Sequence, residues 1–379
     1  MSSHVVDAPP VPRHRRAVRA WLLGTHDLPA AADREPVDLE TTLAEDRALQ
    51  RRLWDSGFGR HGWPAEVGGL GGDARLRAAT YEEVARAGYR VPQPTYTVET
   101  LSPALLRYSP ALARDLLPPA LAGDEIWCQG FSEPGAGSDL AALACRATPV
   151  AGGWRLDGHK IWSSFGHVSA RSAVLARTGE PGHRGISMFV VDLAAPGVEV
   201  RPIRAAGGRR EFAEIFFDGH VTPADRIVGV PGQGWEIAMY LLQWERGMYA
   251  WQRQATLRAR LVAAVAAGGA DPLSAARATV LLAALRRRSA RTVGLLAAGG
   301  NPGPAVSVDK VLLSSAEQAV MDVVRESAAG SFLLGDAAHD ELRRGDWFYS
   351  RAATIYGGSV DIQRTIVAER VLGLPRGAR

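Results

Sequence analysis

From about Trp127 to Asp225 the hydrophobic period of the chain changes from that of helices to that of strands, and after Gly232 it changes back. A helical stripe repeats every 3.6 residues and a strand face every 2, so neither pattern can be refolded as the other without turning apolar side chains to water. The switch predicts an α+β multidomain chain: an N-terminal helical domain over 1–125, a β domain over 126–228 and a C-terminal helical bundle over 229–379. In the first part, "LETTLAEDRALQRRLWDSG" (39–57), "ARLRAATYEEVARAG" (74–88) and "ALARDLLPPALAG" (111–123) read as helices, separated by the Gly/Pro loop "GWPAEVGGLGG" (62–72). In the second, "WRLDGHKIWSS" (154–164) predicts a hairpin turning at Asp157-Gly158. The short Val-, Ile- and Phe-rich runs after it predict a compact sandwich or barrel. In the third, "GWEIAMYLLQWERGMYAWQRQATLRARLVAAVAAGG" (234–269) is expected to be one long helix, and another opens with Asp271 as N-cap and Pro272 at its first position. "VDKVLLSSAEQAVMDVVRESAAG" and "TIVAERVLG" complete a bundle.

The bulk chemistry narrows the classes of function. The chain has 379 residues, with 44 basic against 40 acidic side chains, which is no strong overall field. No basic face with interleaved aromatics is visible, so no nucleic-acid partner is expected. Cys128 and Cys145 sit in neither a Cys-x-x-Cys nor a Cys/His cluster. Neither a metal site nor a disulfide framework is expected, and a reducing, cytoplasmic setting is the default. The first 20 residues mix charges among apolar groups, unlike a secretory signal. No apolar run reaches the roughly 18 residues of a membrane span.

Three stretches carry chemistry. In "QGFSEPGAGSDL" (129–140), Gly135 and Gly137 permit a close backbone approach to a ligand, and Ser138 and Asp139 add short polar groups; taken alone this is also simply a tight loop. In "IWSS" (161–164), Trp162 reads either as a core tryptophan or as a flat wall beside an aromatic cofactor, with a hydroxyl two residues on. "IYGGSVDIQRTIVAERVLGLPR" (355–376) opens on a turn and runs into a helix with Ile362, Ile366, Val367 and Val371 on one face and Gln363, Arg364 and Arg370 off it.

In this order and spacing, "FSEPGAGSD", "DGHKIWSS" and the C-terminal stretch resemble three motifs of the acyl-CoA dehydrogenase superfamily, and the resemblance covers most of the chain. It implies an N-terminal helical domain, a central β-barrel and a C-terminal four-helix bundle, with FAD held between them and across a subunit interface. A homodimer or homotetramer, an acyl-CoA or acyl-carrier-protein substrate and an electron-transfer flavoprotein as acceptor go with it. Matched residue by residue, it implies that Gln129, Phe131 and Ser132 line the isoalloxazine, that Trp162 flanks it and that Ser164 reaches N5. Ser359 and Asp361 would touch the FAD, Ser138 the thioester or pantetheine, and Gly358 and Arg246 the substrate. The family's "R-x-x-F-G" and "Q-x-x-G-G-x-G" loops are missing, and "SFLLGDAAHD" (331–340) is the nearest counterpart of the second. That suits a bacterial branch with shortened loops.

In many members the residue after the C-terminal tyrosine is the glutamate that removes a proton. Here it is Gly357. Other members carry that glutamate in a Glu-Arg pair on a neighbouring helix, and "LLQWERGMYA" (241–250) resembles that pair. Read as a helix, Ile237, Leu241, Glu245 and Met248 share one stripe, so Glu245 interrupts an apolar face. In an arbitrary helix such a carboxylate is best read as ion-paired within the bundle; with position 357 empty, Glu245 becomes the expected base. Glu133 is expected to be structural. His159, His167 and His183 read as surface or core histidines, and Glu369 with Arg370 as a solvated or salt-bridged pair. Two alternatives stand beside this reading: a flavin monooxygenase of the same fold, and a subunit of a heteromeric dehydrogenase that is inactive alone. Tyr240, Trp244, Met248 and Trp251 surround the expected base, but the acyl chain is open.

Overall fold

The computed structural model describes residues 8–24 and 38–375; Arg376, which closes the C-terminal motif, lies outside them. Helices α1 (Val11–Leu23), α2 (Leu39–Asp55), α3 (Ala74–Arg86), α4 (Pro94–Tyr108) and α5 (Pro110–Ala122) come first. Strands β1 (Trp127–Gly130), β2 (Arg146–Val150), β3 (Gly153–Ser164), β4 (Arg171–Arg177), β5 (Ile186–Asp192), β6 (Val198–Ile203), β7 (Phe212–Pro223) and β8 (Ile227–Val228) follow. Helices α6 (Gly234–Trp244), α7 (Ala250–Ala267), α8 (Pro272–Ala297), α9 (Ser307–Leu334), α10 (Ala338–Arg351) and α11 (Val360–Ile366) complete the chain. An N-terminal helical domain, a middle β domain and a C-terminal helical domain thus succeed one another, as the changes of period require. By packing, the described residues gather into two compact bodies, one from 1–92 with 243–379 and the other from 93–242. Among the described residues no helix is long and apolar enough to cross a membrane.

In the body from 93–242 the strands form one sheet in the order β6-β7-β3-β2-β4-β5-β8, with β1 laid parallel on β4. Cys128, Ala147, Leu156, Val174, Phe189 and Ile215, from six different strands, meet in one buried cluster. One face of a sheet reaches a single cluster in this way when the sheet curls around it. Burial in that cluster pushes the thiols of Cys128 and Cys145 up to about 11, which keeps them protonated and unreactive.

The hairpin expected at Asp157-Gly158 is not there. β3 runs unbroken from Gly153 to Ser164, and its register against β7 shifts between Leu156 and Gly158. A glycine inside a strand serves a bulge as well as a turn. Here a β-carbon on Gly158 would stand 2.7 Å from Cα of Cys145, and Asp157 Oδ1 accepts from Gly219 N (3.0 Å). Close packing at Gly158 leaves room for a bulge within a continuous strand. The turn that pairs β2 with β3 lies at Ala151-Gly152 instead.

In the other body, α3 is buried along most of its length against α1, α7 and α8. Its two buried glutamates are ion-paired with arginines of α1 and α8. Glu82 pairs with Arg15 (2.6 Å) and Arg286 (2.8 Å), and Glu83 with Arg15 and Arg19 (both 3.0 Å). Leu257, Leu282, Leu285, Leu313 and Val320 form the core shared by α7, α8 and α9. Asp271 caps α8 as expected, accepting from Ser274 N (2.8 Å). Three other expectations need correction. The long helix from Gly234 is interrupted over Glu245–Tyr249 by a π turn, which carries one extra residue per hydrogen-bonded ring. α9 continues to Leu334 past a non-helical Ala329 (φ 47°). In α11 the buried residues are Val360 and Gln363; Ile362, and Val371 in the turn that follows, are each 44% exposed while Ile366 and Val367 are half-buried, so the apolar stripe is only partly covered in the single chain.

Candidate active site

The π turn sets the geometry of the first group of residues, all within the body that includes 243–379. A β-carbon on Gly247 would stand 2.9 Å from both Thr292 Cγ2 and Leu296 Cδ1 of α8, so only glycine lets this turn lie so close to that helix. The two residues before it are Glu245 and Arg246. Gly357 has φ +61°, a conformation L side chains rarely adopt. A β-carbon placed on it would stand 2.9 Å from Oε1 of Glu245. The carboxylate of Glu245 therefore fills the space into which a side chain at 357 would project.

No hydrogen-bond or ion-pair partner reaches the Glu245 carboxylate among the described residues. Its accessible surface is intermediate, yet it lies deep among side chains, and desolvation pushes its pKa above the ordinary carboxylate value. The charges of Arg246 and Lys310 oppose that rise. Arg246 is itself pushed down by burial, and its Nε has no partner among the described residues. Its Nη2 would stand 3.4 Å from a β-carbon on Gly358, which also meets Nε2 of Gln363. Lys310 of α9 is 3% exposed; its Nζ donates to Ala353 O (2.7 Å) and lies 4.1 Å from the centre of the Tyr356 ring. Burial lowers its pKa to about 8, against the pull of Glu317 and Glu245. Tyr356 Oη donates to Glu317 Oε2 (2.9 Å), and Glu317 is paired with Arg253. Of the residues named from sequence, the structure brings Glu245, Arg246 and Gly358 together here. Ser359 caps α11, its hydroxyl accepting from Ile362 N (3.4 Å), and Asp361 is exposed beside Arg364.

The second group lies in the body from 93–242. Gln129 lies half-buried within β1, Phe131 is buried, and the carbonyl of Ser132 accepts from Ile161 N (2.9 Å), which joins the loop to the residue before Trp162. Glu133 anchors the loop: it accepts from Ala144 N (2.6 Å), Cys145 N (2.9 Å) and Lys160 Nζ (2.7 Å). Ser138 stands exposed on the loop. Trp162 is not a core tryptophan. It is 56% exposed, in a left-handed conformation (φ +63°), at a second register shift between Lys160 and Ser163. Its ring meets Phe212 edge-on at 6.0 Å. Ser163 is fully buried with its hydroxyl unpartnered among the described residues, and Ser164 follows half-buried. A bulky residue at positive φ is strained, and such strain persists only where surrounding structure imposes it, commonly at ligand sites.

Sequence reasoning missed the π turn, Lys310 and Gln363. Lys310 left a trace: it shares an inward stripe with Leu313, Ser314 and Glu317, a spacing that buries it.

Comparison with known proteins follows the same lines. Models of the acyl-CoA dehydrogenase N-terminal, middle and C-terminal domains match residues 15–124, 128–220 and 232–372. The chain is 38% identical to acyl-CoA dehydrogenase IpdE1 of Mycobacterium tuberculosis, over 97% of this chain and 99% of that one. It is also 38% identical to the protein of the same name in Mycolicibacterium smegmatis, over 88% and 89% of the two chains. Among solved structures it is similar to the Tcur3481-Tcur3483 steroid ACAD, with a TM-score of 0.82, 26% identity and coverage of 99% and 100%.

Proposed function

The chain belongs to the acyl-CoA dehydrogenase family, and from that premise we propose that it is an FAD-dependent α,β-dehydrogenase of acyl thioesters with Glu245 as the base. One observation carries the assignment: the carboxylate of Glu245 occupies the space over Gly357, 2.9 Å from where a β-carbon there would lie. A flavin suits the exposed wall made by Trp162 and the residues beside it, since an indole held outward on a strained backbone offers a stacking surface. Gln129, Phe131, Ser132, Trp162 and Ser164 would hold the ring, with Ser359 and Asp361 as further contacts. Bound flavin supplies an acceptor for the hydride that leaves the β-carbon of the substrate. Glu245 takes the α-proton: the O–H bond forms as the α-C–H bond breaks, and the freed electron pair becomes the new double bond. Desolvation makes its carboxylate more basic than one in water, which suits removal of a weakly acidic proton. Ser138, Arg246 and Gly358 would hold the thioester end. Electrons would pass on to an electron-transfer flavoprotein. The monooxygenase reading needs no base and is disfavoured by a deep carboxylate kept without an ion-pair partner.

The neighbour titled as a steroid ACAD favours an acyl chain attached to a bulky ring system. Anaerobic mixing of the FAD-loaded protein with a panel of acyl-CoAs tests the whole reading. Ring-bearing thioesters should bleach the flavin faster than straight-chain ones. Protein that takes up no flavin when FAD is supplied, or flavin that no thioester bleaches, overturns it.

Self-association is part of the proposal. Leu333 (76% exposed), Leu334 (89%), Ile355 (69%) and Leu372 (66%) leave large apolar side chains uncovered in one chain. A second copy covering them would give a dimer or tetramer. Light scattering at micromolar concentration should return a multiple of the 40.5 kDa chain mass; a monomer mass refutes it.

A further inference from the structure

Glu245 is not the only ionisable group on the space over Gly357. The same hypothetical β-carbon that meets its Oε1 at 2.9 Å would stand 3.8 Å from Cε and 3.9 Å from Nζ of Lys310. The carboxylate and the ammonium thus both border the space of one absent side chain, without forming an ion pair. Other groups account only in part for a lysine buried here: the Tyr356 ring lies 4.1 Å from its Nζ, and the charge of Glu317 also favours its ionised form. Its hydrogen bond to Ala353 O is duplicated by Ser314 Oγ (2.5 Å), so that carbonyl stays satisfied without it. Glu317, on the same helix, is already paired with Arg253 and receives the Tyr356 hydroxyl. No carboxylate lies within ion-pair distance of Nζ among the described residues. A buried cation with no such partner is unfavourable unless a charge nearby rewards it.

We propose that Lys310 is a positioning residue for Glu245: its ammonium borders the space over Gly357, draws the carboxylate into that space and keeps it ionised. The role rests on the reading of Glu245 as the base; the electrostatic coupling itself does not. The charged and titratable groups facing the pair are Arg246 and Tyr249 from the π turn, Arg253 from α7, Glu317 from α9, and Tyr356. Arg246 acts on Glu245 in the same sense as Lys310. Glu317 acts on Lys310 and keeps it charged. Lys310 lies on an element separate from Glu245, so it can be changed without touching the π turn.

The test is an infrared titration of the FAD-loaded protein without substrate, following the protonated-carboxyl band that Glu245→Gln removes. An ammonium nearby favours the ionised carboxylate, so neutralising it must raise the protonation midpoint. Lys310→Met and Lys310→Gln should both move it up by about 1 pH unit or more. Lys310→Arg should leave it near that of the parent. The pH profile of flavin bleaching should shift to alkaline pH by the same amount in Lys310→Gln, with partial recovery of the rate at high pH. Lys310→Gln keeps a donor for Ala353 O and so separates charge from packing. An unchanged midpoint in folded Lys310→Gln overturns the proposal. So does failure of both neutral variants to fold while Lys310→Arg folds, because that makes the lysine structural. If Glu245→Gln bleached at the parental rate, the base assignment would fall while the titration result stood.

Discussion

Glu245→Gln keeps FAD bound and the melting curve unchanged, and slows flavin bleaching by at least about 10²-fold, the lower end of what a lost general base costs. Glutamine matches the size of glutamate but cannot accept the α-proton. Because the parental carboxylate has no hydrogen-bond partner among the described residues, the exchange takes no acceptor away from any other group. Stopped-flow bleaching with any thioester that reduces the parent reads the effect. In the parent the rate should rise with pH as Glu245 ionises, and that rise should vanish in the variant. Parental bleaching by Glu245→Gln would make the residue a structural carboxylate and remove α-proton abstraction by it from the mechanism.

The second large effect falls on stability. Lys160 is 0% exposed, and Glu133 neutralises it at 2.7 Å. Glu133→Ala strands the lysine with the Phe131 carbonyl (3.2 Å) as its remaining acceptor. Removing one partner of a buried pair costs about 3–5 kcal/mol, which lowers the melting temperature of a body of this size by roughly 6–20 °C. Lys160→Met should cost less, since Glu133 keeps the N–H groups of Ala144 and Cys145 and some contact with water. The double variant should recover part of the loss. Acid gives an independent check. Burial acts to raise the pKa of Glu133, but Lys160 and the two backbone donors outweigh it and hold the value below that of an ordinary carboxylate. Such a group stabilises the fold fully above its unfolded pKa of about 4.3 and loses that contribution as pH falls through the folded value. Below about pH 4.3 the parent should therefore lose stability more steeply than Glu133→Ala. Calorimetry that finds Glu133→Ala melting with the parent at pH 7 contradicts the assignment.

The domain order was legible because period survives any choice of loop, and the α8 cap because Asp-Pro serves few other local purposes. The burial of Glu245 beside Gly357 was legible for a different reason: a carboxylate on an apolar stripe is costly and draws attention to itself. Asp157-Gly158 misled because a turn and a bulge ask for the same residues; what separates them is the packing of Cys145 against Gly158, which only the fold reveals. The π turn could not be read, since one inserted residue shifts helical phase by less than the scatter of an apolar stripe. Lys310, beside Asp309 in a stretch of serines and leucines, looks like a solvated charge until its carbonyl partner 43 positions away is known. Ile362 and Val371 read as core because an apolar face is the same in sequence whether it is covered by its own chain or by another.

The volume over Gly357 also bears on how such a site can change in descent. Glu245 Oε1 stands 2.9 Å from the place of a β-carbon at 357, and the backbone there is left-handed. A side chain at 357 would therefore press on the Glu245 carboxylate, the far end of a flexible side chain, which would have to move aside. A gene moving the acid from one position to the other by single codon changes passes either through a protein with two crowded acids or through one with none. With Glu245 as the proposed base, the intermediate with no acid is expected to be inactive, and the two positions are expected to change as a pair rather than singly.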